Sequence, residues 1–147
     1  QHQRWETFMA PTNVIDVIRN FDFDALRGQL RESPEPTDGR TLDEVIETTA
    51  EWLEAVQSDL VALVSEIDGG DDMEMVLAIQ YVELKSRWIA FNTKMNYTRF
   101  KGNQPVVNDR FRASAVSALL GHIESLLREE DIEHITTFLG QPIANAA

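Results

Sequence analysis

In the middle of this chain Thr41-Leu42-Asp43-Glu44 is followed by Leu42, Ile46, Thr49, Leu53, Val56, Leu60, Leu63 and Ile67, which alternate steps of four and three without a slip. The Thr41 hydroxyl can accept from the third helical amide while Glu44 reaches back to the amide of Thr41, the reciprocal arrangement of a capping box. Steps of four and three hold one narrow apolar stripe on one side of an α-helix. The segment therefore predicts a long helix that hides an edge against a partner, and a sheet protein has no use for such a pattern.

The rest of the chain supplies the partners. Gly69-Gly70 stops the helix, so 68–71 reads as the tight loop of a helical hairpin. The next segment, about 72–100, carries Leu77, Tyr81, Leu84, Trp88, Phe91 and Met95 on one stripe, and Met75, Ile79, Val82 and Ile89 on a second. Two stripes predict a central helix with contacts on two sides. Gly102-Asn103-Gln104-Pro105 breaks it. Asn108 is the expected cap of a third long helix with Phe111, Val116, Leu119, Leu120, Ile123, Leu126 and Leu127 on its apolar face. From Asp131 the phase shifts to Ile132, Ile135, Phe138 and Leu139, which predicts a kink or a short final helix.

Upstream, Asn13 precedes Val14, Val17, Ile18 and Phe21 at helical spacing, and Asp22 is placed to cap a second short helix through Phe23, Leu26 and Leu30. Ser33 to Gly39, with two prolines and a glycine, is a loop. Residues 1–10 contain Trp5, Phe8 and Met9 without periodicity and read as an N-terminal arm. The expected fold is all-α: an up-down helical bundle of three long antiparallel helices plus short N- and C-terminal helices. A length of 147 residues suits one such domain over 11–147 behind the arm.

Several function classes find no support. The chain has no cysteine, so disulfides, thiolate metal sites and a cysteine nucleophile are excluded. No apolar run approaches the roughly eighteen residues of a membrane span, and no signal sequence is visible. The expected location is the cytoplasm or a soluble assembly, without a membrane partner. Nucleophile-elbow, phosphate-loop and dinucleotide motifs are missing. His2, His122 and His134 are scattered, and Asp131-x-x-His134 lacks the second motif and extra carboxylates of a di-metal bundle. His122, next to the apolar face, reads as an ordinary hydrogen-bonded histidine. Asp68, Asp71, Asp72 and Glu74 surround two glycines without the register of a calcium loop, and read as helix-start acids. The chain is thus expected to be non-catalytic, with no cofactor and no metal.

Charge is the remaining handle. The formal net charge is -12, yet residues 76–112 hold seven bases against two acids, so a basic middle lies between acidic ends. Glu44, Glu47, Glu51 and Glu54 fall opposite the apolar stripe with no base between Arg40 and Lys85 to offset them, which predicts an acidic interaction face. Arg87, Lys94 and Lys101 recur every seven residues near Trp88, Phe91, Tyr97 and Phe100, and Arg99, Arg110 and Arg112 add to this basic segment. Solvated helix faces would give the same letters. The functional expectation is a structural subunit that self-associates into a homo-oligomer or particle. One alternative is a coat or packaging protein whose 85–112 segment contacts nucleic acid, since phosphates and bases need cations and stacking rings together. Another is an acidic adaptor or inhibitor that captures a basic protein.

Overall fold

Asp22 accepts the amide of Ala25 at 2.9 Å through its side chain and so opens the first helix, α1, Phe23–Leu30. The computed structural model describes residues 20–65 and 73–127 together with 129 and 133. Among these the chain is all-α and mostly helical: α1 is followed by α2 (Leu42–Ser65), α3 (Met73–Phe100) and α4 (Val107–Glu124), with no strand. The arm, the helix expected after Asn13, the 68–71 turn, and the phase shift and final helix from Asp131 lie outside the described residues. No helix among the described residues is long and apolar enough to cross a membrane.

The capping box forms as its letters dictate. The Thr41 amide donates to Glu44 Oε1 at 2.9 Å, and the Glu44 amide donates to the Thr41 hydroxyl at 3.1 Å. At the other end of α3, Gly102 adopts a φ of 81°, and its amide donates to the Arg99 carbonyl at 2.9 Å. The left-handed conformation satisfies carbonyls that the helix leaves open, and glycine enters it without a Cβ clash. The cap of α4 departs from expectation. Val106 is the N-cap and provides no side-chain hydrogen bond, whereas Asn108 sits inside the first turn and accepts from Arg40 Nη2 at 2.6 Å. A partner from the α1–α2 connection thus takes the oxygen that local capping would have used.

The stripe of α2 is buried at Ile46, Thr49, Leu53, Val56 and Leu60, while Leu63 is 38% exposed. Val45, Ala50, Gln57 and Val61 are buried as well, so the face is broader than a single coiled-coil seam. The breadth follows from packing, since α2 meets α1, α3 and α4. Leu53, Leu60, Leu84 and Leu119 are almost wholly withdrawn from solvent, each contributing about 1.5–3 kcal/mol of burial.

Helix α3 is not the central one. Its first stripe is buried at Leu77, Tyr81, Leu84 and Met95, but Ile79 and Val82 on the second are only half-buried and Ile89 is 39% exposed. Among the described residues both α2 and α4 pack against all three others, but α4 has the more extensive contact, most with α3, then with α2 and α1, while α2 and α3 meet least. Small buried residues, Ala113 and Ala115, alternate on α4 with Phe111, Val116 and Leu119, which lets neighbours approach from several sides. A Trp52–Phe91 edge contact at 5.8 Å joins α2 to α3, and Gln80 Nε2 donates to the Leu60 carbonyl at 2.9 Å. Between α3 and α4, Lys94 meets Asp109 at 2.9 Å, and the Tyr81 hydroxyl donates to Glu124 at 2.9 Å.

Candidate functional site

The structure separates the acidic ribbon into engaged and free parts. Glu44 is committed to Thr41, and the donated amide, followed by the hydroxyl, holds its carboxyl below the ordinary value. Arg27 of α1 donates from Nε to Glu47 at 2.9 Å, and this hydrogen bond raises the already high guanidinium pKa. Arg31 pairs with Asp43. The absence of a base between Arg40 and Lys85 therefore does not leave this end of α2 unbalanced, because α1 lays two arginines over it. Glu51 and Glu54 remain exposed, without an ion pair or hydrogen bond among the described residues.

The basic residues likewise part company. Lys94 is tied to Asp109, whose own side chain is largely buried. Arg112 leaves the basic face and lies 5.0 Å over the Trp52 ring of α2. Arg87 is half-buried, and its Nε is enclosed without a hydrogen-bond partner among the described residues. Lys101 stays exposed at the end of α3, 5.6 Å over the Tyr97 ring. Beside it on α3, Phe100 is 84% exposed and Tyr97 60%; Val106, the N-cap of α4, is 58% exposed. Tyr97 and Phe100 stand three residues apart, so the two exposed rings share one side of the helix end.

Arg99 and Arg110 come together elsewhere. Trp88, Asn92, Met95 and Arg99 follow one another on α3 at steps of four, three and four, and Arg110, Ser114 and Ser117 do so on α4 at steps of four and three. Both rows line an open cleft of about 410 Å³, together with Gln29 of α1 and Ser33 and Pro34 beyond it. Phe111 and Met95 in its lining are buried, and among the described residues no carboxylate lines it. The seven-residue spacing of Arg87, Lys94 and Lys101 drew attention to a different row. The signal that could have found the cleft is the four-three spacing of Trp88, Asn92, Met95 and Arg99, which shares its apolar members with the core stripe.

A second, smaller cleft of about 260 Å³ lies between Phe21, Asp22 and Ala25 on one side and Ala118 and His122 on the other. The expected hydrogen bond to the His122 ring is not formed at Nε2, which is enclosed without a partner among the described residues. The ring instead meets the edge of Phe21 at 5.6 Å. His2 and His134 lie outside the described residues. Among the described residues no three His, Asp or Glu side chains are grouped as metal ligands would be. No protein-family model, no curated protein and no solved structure matches this chain.

Proposed function

We propose that this chain is a non-catalytic assembly subunit that self-associates, with the apolar and cationic end of α3 on one copy meeting the free carboxylates of α2 on another. The observation that carries the reading is the exposure of Tyr97 and Phe100 beside Lys101 at the end of α3, against exposed Glu51 and Glu54 on α2. Apolar contact would supply most of the affinity and opposite charge the register. The two patches differ, so the contact is head-to-tail, which builds rings or filaments rather than isolated pairs. The arm 1–10 is a further element of this contact in the same proposal.

The scaffold in this reading is one domain over 11–147 in which the three long helices run up, down and up. Support comes from the pairs Trp52–Phe91 and Leu60–Gln80 between α2 and α3, and Lys94–Asp109 and Tyr81–Glu124 between α3 and α4. In each set the residue numbers rise on one helix while they fall on the other. Spin labels on cysteines introduced at Thr48 and Asn96 should lie closer than a pair at Thr48 and Ser86; the reverse order would refute the antiparallel hairpin.

Light scattering at micromolar concentration tests the assembly. Oligomers are expected at low salt, with partial dissociation as salt rises; Phe100→Asp should give monomers, and Lys101→Glu should weaken assembly until paired with Glu51→Lys and Glu54→Lys in the same chain. A clean monomer of the unaltered chain at both low and moderate salt removes the reading. Nucleic-acid contact is a second reading, favoured by the cation and rings gathered at Tyr97, Phe100 and Lys101. A gel shift at low salt that is lost in Phe100→Ala with Lys101→Gln would support it, and no shift would end it. Capture of a basic protein by the acidic face rests on Glu51 and Glu54, because Glu47 is held by Arg27; retained capture in the double charge reversal would exclude it.

A further inference from the structure

The cleft between α3, α4 and the segment after α1 gathers features that the assembly reading does not use. Among the described residues it is lined by Arg99 and Arg110 and by no carboxylate, in a chain that carries 25 acidic residues against 13 Lys and Arg. Two arginines with no carboxylate among the described lining residues give the cleft a local positive field on an otherwise acidic molecule. Lys85 adds to that field, its ammonium lying 4.8 Å over the Trp88 ring.

The donors in the cleft are also unspent. Arg110 makes no ion pair and no hydrogen bond among the described residues, and neither do the side chains of Gln29, Ser114 and Ser117. Arg99 has only a 3.3 Å contact from Nη1 to Asn96, and Arg110 lies 5.9 Å over the Phe111 ring. Asn92 uses its Nδ2 on the Trp88 carbonyl at 3.2 Å. Beside these groups stands the half-buried Trp88, whose indole is the ring in the lining against which a flat ligand can lie. A volume of about 410 Å³ is within the range of small-molecule sites, which span about 300–1,000 Å³, and at its small end.

We propose that this cleft binds a small organic anion, a flat ring bearing a phosphate or carboxylate, with Arg99 and Arg110 on the anionic group and Trp88 against the ring. The planar guanidinium forks match either oxyanion geometry, so the chemistry is common to both. Binding is a property of the single chain and does not depend on self-association.

Calorimetric titration of the full chain with adenosine 5′-monophosphate and, separately, with 1-naphthoate tests it and distinguishes the two anions. Saturable binding of at least one is expected with Kd below about 1 mM. Adenosine alone and inorganic phosphate alone should each bind at least about tenfold more weakly than the monophosphate if the phosphate form is the ligand, since each keeps half of the contacts. Arg110→Gln and Arg99→Gln should each weaken binding about tenfold or more, as should Ser114→Glu, which leaves both arginines in place and adds the missing carboxylate. Arg112→Gln, outside the cleft, should leave it unchanged. All four positions are at least partly exposed, so the variants should keep the helical circular dichroism of the unaltered chain. No saturable heat from either compound up to about 10 mM, or affinity undiminished in Arg110→Gln and Ser114→Glu, would overturn the proposal.

Discussion

Gln80 shows how one polar side chain can be necessary to the geometry and costly to the energy. It is wholly buried; its Nε2 donates to the Leu60 carbonyl, but Oε1 has no hydrogen-bond partner. An unsatisfied buried oxygen costs about 1–3 kcal/mol, while a neutral hydrogen bond returns about 0.5–1.5 kcal/mol. Methionine has nearly the same length and no oxygen or nitrogen, so Gln80→Met should be neutral or stabilise the fold by up to about 1 kcal/mol in urea unfolding. A loss above about 1 kcal/mol would mean that the Leu60 contact outweighs the orphaned oxygen. Lys94 presents the opposite case. Its ammonium is mostly exposed but is the ion-pair partner of the largely buried Asp109, so Lys94→Met should destabilise by about 1 kcal/mol, less in high salt. Neither residue's role was legible in the sequence. Gln80 falls between two apolar stripes, and Lys94 falls on a seven-residue row of cations; what decides each role is the residue that another helix places opposite.

At the scale of the element, legibility was highest where the physics is local. The start of α2 followed from Thr41 and Glu44 alone, and the start of α1 from Asp22, because a side chain capping its own helix needs no distant partner. The start of α4 was misread for the complementary reason: Asn108 has the chemistry of a cap, but Arg40 claims its oxygen across the fold. Two consequences can be measured at the α2 terminus. Thr41→Ala should cost about 1 kcal/mol, the usual worth of an N-cap hydroxyl. Glu44 has a folded pKa below its ordinary value, chiefly through the Thr41 amide, and Asp38 is lowered by the hydrogen bond from Arg40, whose Nε lies 2.9 Å from it. For a carboxyl lowered in the folded state, the stabilisation is complete above the unfolded pKa of about 4 and is lost as pH falls through the folded value. Urea midpoints should therefore drop between about pH 5 and pH 3, and Glu44→Gln should flatten part of that drop. A midpoint no less acid-sensitive in the variant would remove Glu44 from the account.

Across the whole molecule the all-α class was readable from periodicity, whereas the identity of the central helix was not. Apolar stripes report how much of a helix is covered, and α3 has two; they do not report by what, and the second stripe of α3 is left half-wet. The centre of helix α4 is rich in alanine and serine. Small residues are what a helix touched from three sides requires, since large ones would hold the neighbours apart. The same gap hid the charge balance, as Arg27 and Arg31 reach the acidic face of α2 only once α1 is laid on it. Centrality has a dynamic signature. Helix segments whose amides lie under packed neighbours open only with the whole fold, while ends with few covering groups open locally. In native-state hydrogen exchange, the amides of 115–120 in α4 should exchange at the global unfolding free energy, and those of 97–100, beside exposed Tyr97 and Phe100, should exchange much faster. Ala115→Leu should overfill this centre and cost about 1–3 kcal/mol, against less than about 0.5 for the exposed Ser117→Ala on the same helix. If α3 proved the most protected helix, or Ala115→Leu were tolerated without loss, the load would rest on the α2–α3 hairpin, and α4 would be a helix added to its side.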